Sequence, residues 1–537
     1  MPWQRYEQGP VGQIWDGIAD GLLNFGAAVV SAIRWMWNLT PDSWSPMAKM
    51  SVFPASYGLL WVATGYFYRW RQPKLSTFGT AAYATLQDLD RAGMLHPGGR
   101  FMGQMQGRDF FLHGEGHCLT IAAQGGGKTT SLIIPTLITY RTGSVVVTDP
   151  KGAITAQTIR FRKSLGPVVV LNPWNQELKN DPSFGVDLGD DGFNPLQGVG
   201  VDEAGMDAAA LVASILCPDS PKDANPYWGR EGRNLLQWGM LYLAATQTDR
   251  GRINLANLRS LLGDLTQLEK AFVVAADPKR TSRGWPTLRE GANTYLKMLE
   301  AKADAQFQGF YSKARDCLAI FAQERTLAAH ICRDGLKLSD LKGDKPITVY
   351  LICPPGHLNT DDRLWLNLVL TMICDAVGKP GRSRETVLLI DEFPALRFLP
   401  NLMGSLEQFR ESGLRAHLIA QNPGQITEIY GLDGFDRLMG CCENKQFSRI
   451  TDYKQAKLIS DWCGQYTIMT TTINAKGERS TGEAGVPLIR PEQLTGMPAG
   501  QQVVLRTGMN PIIGRLVPYF SRREWGGLVD RNPYREK

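Results

Sequence analysis

The chain lacks the cysteine spacing of a structural metal site. Its nine cysteines stand at positions 118, 217, 317, 332, 353, 374, 441, 442 and 463, with no C-x-x-C pair and none before residue 118. That argues against structural zinc and for a reducing compartment from residue 118 onward. Internal repeats and low-complexity tracts are also missing, which excludes repeat architectures. No dense stripe of Lys and Arg interleaves with aromatics, so composition alone gives nucleic-acid binding little support. The net charge of +6, from 58 Lys and Arg against 52 Asp and Glu, permits contact with nucleic acid or an anionic membrane without requiring either. No small-residue cleavage site follows a short apolar core near the N-terminus, so a removed signal peptide is not expected. What is present is an ordinary globular composition, 43% hydrophobic and 20% charged over 537 residues, a length compatible with about three domains.

The first 73 residues differ from the rest. Between Lys49 and Arg69 no residue is charged, and the stretch includes Gly58-Leu59-Leu60-Trp61-Val62-Ala63. A spanning helix needs about 20 predominantly apolar residues, so one is expected over about residues 51–68. Arg69, Arg71 and Lys74 follow at once, which suits a cytoplasmic exit. A second helix is expected over about residues 17–37, where Trp15, Trp35 and Trp37 fit interfacial belts. Asp20 and Arg34 interrupt it, and lying flat on the membrane is the alternative. Together they predict a transmembrane hairpin over 1–73, with both ends inside and Asn38–Met50 outside, closed by the linker Gln72-Pro73.

Residues 122–129 read Ala-Ala-Gln-Gly-Gly-Gly-Lys-Thr, between a short apolar strand (Leu119 to Ala122) and a helix expected over Thr129 to Tyr140. This is the pattern of a phosphate-binding loop. Gly125, Gly126 and Gly127 let the backbone turn so that its N–H groups face an anion, with Ala123, Gln124 and Thr130 completing the cradle. Lys128 is expected to reach the β- and γ-phosphates, and Thr129 to offer its hydroxyl to Mg²⁺. The helix N-terminus adds partial positive charge.

Further apolar runs follow: Ser144–Thr148, Pro167–Leu171, Ile347–Ile352, Thr386–Ile390 and Arg415–Ala420. Their lack of alternation predicts strands covered on both faces, as in a parallel sheet. From about residue 200 to 334 the strand signals vanish, and broad helical stripes such as Glu231–Ala245 and Ala303–His330 take over. The expected architecture is one α/β domain over 74–199 and 335–537, interrupted by an all-α domain over 200–334.

The run Val387–Ile390 ends in Asp391-Glu392, at the strand end where ligand chemistry sits in a parallel sheet. Asp391 is the candidate Mg²⁺ partner, through one of the ion's waters, and Glu392 the candidate general base. Gln421 ends another strand and is a candidate for sensing the γ-phosphate or orienting water. Arg410 and Arg415 flank Gly413, and either could serve as an arginine finger to a neighbouring subunit. Asp149-Pro150-Lys151-Gly152 leaves two readings open, a contact with nucleotide or neighbour and a plain turn.

The pattern resembles a known family, the coupling ATPases of conjugation and type IV secretion (the TraG/TraD type). The residues that carry the resemblance are Thr77–Thr85, the phosphate loop with Ile134-Pro135, Asp149–Gly152, and Phe193-Asn194-Pro195-Leu196. They continue with Leu389-Ile390-Asp391-Glu392-Phe393-Pro394-Ala395-Leu396, Ala420–Ile426 and Leu488–Glu492. The Asp-Glu-Phe-Pro-Ala-Leu run with a downstream Ala-Gln is specific. The resemblance implies a RecA-like P-loop NTPase domain, ATP and Mg²⁺ as cofactors, and a ring of about six identical subunits on the bacterial inner membrane, with most of the chain cytoplasmic. It makes Arg410 the trans-acting arginine and Arg415 the backup. The implied substrate is single-stranded DNA with an attached relaxase, or protein effectors, and the implied partners are relaxosome proteins and the secretion channel. Two other functions compete: a nucleotide-assembled effector receptor that pumps no DNA, and a chromosome translocase of the FtsK kind. The latter calls for a duplex-reading winged helix, and no basic helical module of that sort follows Asp452.

Overall fold

The structure, a computed structural model, describes residues 76–114, 116–218, 226–300, 304–381, 384–473 and 479–535. The expected transmembrane hairpin lies outside them, and no helix among the described residues is long and apolar enough to cross a membrane. Residues Thr77–Lys537 form one compact unit.

Thirteen strands occur among the described residues: β1 (Arg100–Met105), β2 (Arg108–Leu112), β3 (Cys118–Ala122), β4 (Ser144–Thr148), β5 (Val168–Leu171), β6 (Thr348–Leu351), β7 (Thr386–Ile390), β8 (Leu414–Ala420), β9 (Asn444–Ser448), β10 (Gln465–Ile473), β11 (Arg479–Pro487), β12 (Gln501–Arg506) and β13 (Ile512–Arg515). Eleven make one sheet in the order β2-β1-β13-β12-β9-β3-β8-β7-β4-β6-β5. From β9 to β5 all neighbours are parallel. The four strands beyond β9 are antiparallel. β10 and β11 form a separate antiparallel ribbon.

The apolar runs are continuous because the sheet is covered twice. Successive strand side chains point to opposite faces, and two cores collect them. Val146, Leu388, Ile390, Leu418 and Ala420 join one core. Val145, Val147, Val387, Leu389 and Ile419 join the other. The first core runs without a break into the helices between β5 and β6, through Leu235, Phe272 and Phe307. Described residues from Glu203 to Ile331 carry helices and no strand. The stripe expected to run from Ala303 to His330 is broken into Asp304–Cys317, a short 3-10 turn Ala319–Phe321, and Thr326–Ile331.

The helix after the phosphate loop also departs from expectation. Thr129–Ile133 is a wide π turn, with the Ile134 N–H reaching Thr129 O, and α-helix follows only over Ile134–Thr139. Pro135 has no N–H for the carbonyl one turn back, which leaves this turn free to widen. Buried Arg162 closes the far end by donating to the carbonyls of Tyr140 at 2.7 Å and Leu137 at 3.1 Å, groups that a helix end leaves unpaired.

Candidate nucleotide site

Three parallel strands deliver the site. β8 lies between β3 and β7, with Ile121 opposite Ala420 and Ile390 opposite Leu418. The residues after Ala122, Ile390 and Ala420 therefore emerge side by side at the carboxyl end of the sheet.

After β3 the chain turns at once, with the Gly126 N–H donating to Ala123 O at 3.0 Å. Gly125 (φ 73°) and Gly127 (φ 76°) are left-handed, a backbone that L side chains rarely adopt. Ala122 is not among the left-handed residues, so its methyl group is tolerated at the first loop position. Ala123, Gln124 and the three glycines form the turn, and Thr129 and Thr130 open the helical turn. Ser131 N–H and Thr130 Oγ1 both donate to Gly127 O, at 2.8 Å and 3.3 Å. Half-buried Lys128 donates through Nζ to Ala122 O at 2.7 Å. Burial lowers its pKa, opposed by the carboxylates of Glu392 and Asp391.

Asp391 is held where β7 ends. Its N–H donates to Thr148 Oγ1 on β4 at 2.9 Å, and that hydroxyl donates back to Asp391 O at 3.3 Å. Burial pushes its carboxyl up to about 6, with added repulsion from Glu392 and relief from Lys128. A buried carboxylate crowded by Glu392 and Asp149 and relieved by Lys128 suits a divalent cation, so the donor set of Asp391 and the Thr129 hydroxyl fits Mg²⁺. Glu392 adopts φ 58°, ψ 52°, a left-handed conformation costing about 1–3 kcal/mol in a non-glycine residue. Its Oε2 accepts from Gln421 Nε2 at 2.7 Å.

Asp149, left open by the sequence, starts the turn that was one of its two readings, with the Gly152 N–H donating to Asp149 O at 3.2 Å. Its buried carboxylate accepts from Thr155 N–H at 2.7 Å and Thr155 Oγ1 at 2.8 Å, tying the end of β4 to the helix Ala153–Leu165. Burial pushes it to about 6 against those hydrogen bonds.

Arg410 is not brought to this cluster. It precedes β8, whereas Gln421 follows it, and a seven-residue strand spans roughly 23 Å. Its Nη2 donates to Glu443 Oε2 at 3.0 Å. Arg415 is 5% exposed on β8, donating to Arg410 O at 2.5 Å, Leu414 O at 3.0 Å and Glu385 Oε1 at 3.3 Å. Those bonds tie it to its own chain and leave Arg410 the accessible arginine of the pair.

Sequence reading missed Thr148 and Arg449. Arg449 follows β9, whose residues Asn-Lys-Gln-Phe-Ser carry no strand pattern. Pairing of β9 with β3, Ser448 opposite Ala122, brings Arg449 to the loop.

A model of the family described as "Type IV secretory system Conjugative DNA transfer" matches residues 82–533. The chain belongs to that family. Among relatives of this family member, the type IV secretion system-coupling protein VirD4 of Bartonella quintana (strain Toulouse) is 27% identical over 440 residues, 78% of this chain and 65% of the relative. The chain thus spans just under two thirds of that relative's length. The conjugal transfer protein TraG of Escherichia coli is 24% identical over 551 residues, 89% of this chain and 83% of the relative. In solved structures the bacterial conjugative coupling protein TrwBdeltaN70, unbound, aligns with a TM-score of 0.60 at 18% identity, covering 83% of this chain and 95% of that one. TrwB in complex with ADP and Mg²⁺ aligns at 0.58 with 17% identity, covering 83% and 96%. The family member therefore has a TrwB-like α/β fold, built on a large mixed sheet.

Proposed function

We propose that this family member is a coupling ATPase of a conjugative or type IV secretion system, which hydrolyses ATP to drive single-stranded DNA, with its relaxase, or a protein effector towards the secretion channel. The observation that carries the reading is the meeting of Lys128, Asp391, Glu392 and Gln421 at the carboxyl ends of three adjacent strands. MgATP supplies the phosphoanhydride bond. The loop amides from Ala123 to Thr130 and the Lys128 ammonium bind its phosphates. Thr129 and Asp391 hold Mg²⁺, and Glu392 takes the proton of the attacking water. Gln421 fixes the Glu392 carboxylate, and its other amide atoms remain to orient that water. Support for the cofactors comes from TrwB, solved with ADP and Mg²⁺ on the same fold.

Residues 1–73 anchor the chain in the inner membrane as a two-helix hairpin. Residues 74–199 and 335–537 form the motor domain and 200–334 the all-α domain. The location of Arg410 beyond its own site suits a ring in which it completes a neighbour's site, and about six subunits is the number the family resemblance implies. Relaxosome and channel proteins are the partners. The test is nucleotide binding and hydrolysis by the purified chain. Saturable MgATP binding lost in Lys128→Ala, with hydrolysis lost in Glu392→Gln, supports the reading. Binding that ignores Lys128 rejects it.

A further inference from the structure

Arg449 lies against the phosphate loop of its own chain. A Cβ on Gly125 would collide with its Nη1, and one on Gly126 would meet the Arg449 Cβ at 3.8 Å. The guanidinium therefore packs on the bare Cα of Gly125, the residue where the loop turns left-handed. Gly125 is constrained twice, by its φ of 73° and by this side chain.

Two further facts bear on what it does there. Arg449 itself has φ 49°, and a left-handed non-glycine residue is uncommon and costs free energy. The conformation turns the chain sharply at the end of β9, beside the loop. Its side chain is exposed and has no hydrogen-bond or ion-pair partner among the described residues, whereas several arginines packed on the sheet are fixed. Arg100, Arg162, Arg415 and Arg522 each donate to carbonyls, hydroxyls or carboxylates. An unpaired guanidinium held at a loop of inward-facing N–H groups is a planar, permanently charged fork beside an anion site.

We propose that Arg449 is a phosphate-binding residue of the nucleotide site, supplied by the same chain and distinct from the neighbour's Arg410. The inference rests on the nucleotide reading of that site and adds a second cation to it beside Lys128. It also divides the labour between arginines. Arg449 contributes to affinity in every subunit, assembled or not, whereas Arg410 acts on a neighbour's site and depends on assembly.

The test is calorimetric binding of MgATP and of Mg-tripolyphosphate to the full chain in detergent, for wild type, Arg449→Ala, Arg449→Lys and Lys128→Ala. Melting temperatures without ligand check that the variants fold. Loss of a charge-assisted contact is expected to weaken both ligands by about tenfold or more in Arg449→Ala. Arg449→Lys keeps the charge without the fork and is expected to fall between. If MgATP weakens while tripolyphosphate does not, the side chain touches base or ribose and the phosphate assignment is wrong. If Arg449→Ala binds both as wild type does, the residue only packs on Gly125 and the proposal fails. Those two outcomes leave the nucleotide reading intact as long as Lys128→Ala loses binding. A wild-type chain that binds neither ligand overturns both.

Discussion

Gln421 Nε2 donates to Glu392 Oε2 at 2.7 Å, joining the carboxyl ends of the adjacent strands β8 and β7. The pair fixes one oxygen of the carboxylate that the proposed mechanism uses as a base. Glu392→Gln is expected to bind MgATP within about threefold of wild type while hydrolysis falls about 10²–10⁴-fold, the range of a lost general base. Gln421→Ala leaves the base in place but unpositioned. A smaller loss is expected there, about tenfold in turnover. Single-turnover hydrolysis beside nucleotide binding separates the two.

The phosphate loop makes a prediction about stability and binding together. Gly125→Ala puts a methyl group into left-handed backbone and into the Arg449 guanidinium. A destabilisation of about 1–3 kcal/mol is expected, together with loss of the melting-temperature rise that MgATP gives wild type. Lys128→Ala is expected to lose the same rise and to lower unliganded stability as well, because it removes the cation beside Asp391 and Glu392. Thermal melts with and without MgATP read both.

Arg410 yields a test of sharing between subunits. Arg410→Ala is expected to keep wild-type nucleotide affinity in each subunit and to lose hydrolysis by about 10³-fold, as for other arginine fingers. Lys128→Ala subunits cannot hold nucleotide but still carry Arg410. Mixing the two inactive variants is expected to restore partial hydrolysis, and a mixture that stays inactive despite mixed assembly speaks against sharing.

Two buried histidines set an acid limit. Burial holds His417 down at about 3 and His117 at about 4, and the ring of His117 is fixed between Leu406 O at 2.8 Å and the Ala416 N–H at 3.0 Å. Both are neutral when folded and protonate near 6.5 when unfolded. Their contribution is thus fully present above about pH 6.5 and declines as pH falls, by about 3 kcal/mol each at pH 4. Asp149 and Asp391, raised to about 6, act in the opposite sense. The comparison of wild type with His417→Gln therefore carries the test. Denaturant unfolding of residues 77–537 is expected to lose stability less steeply with acid in the variant.

The parallel half of the fold was legible because burial on both faces leaves an unbroken apolar run. Ser144–Thr148 and Thr386–Ile390 are strands at the expected residues. The antiparallel extension was not. β9 and β12 pair through buried polar side chains, with Thr120 Oγ1 donating to Gln446 Oε1 at 2.7 Å and Gln446 bonded in turn to Gln502. Such positions read as surface in a sequence. The loop, Asp391, Glu392 and Gln421 were legible because each ends an apolar run. Arg449 was hidden because its place depends on β9 lying beside β3, a pairing between distant segments. Asp149 was ambiguous because its partner, Thr155, sits in a helix whose start the Pro-Gly turn masks.

The proposed function requires a ring motor whose sites are completed by neighbours and engaged by DNA. The most direct measurement is ATP hydrolysis per subunit by residues 77–537 across protein concentrations, with and without single-stranded DNA. A shared, DNA-engaged site is expected to give a rate that rises with concentration and again with DNA, and that both Lys128→Ala and Arg410→Ala abolish. A rate indifferent to DNA in a preparation shown to be oligomeric, or one unchanged by Arg410→Ala, would contradict it.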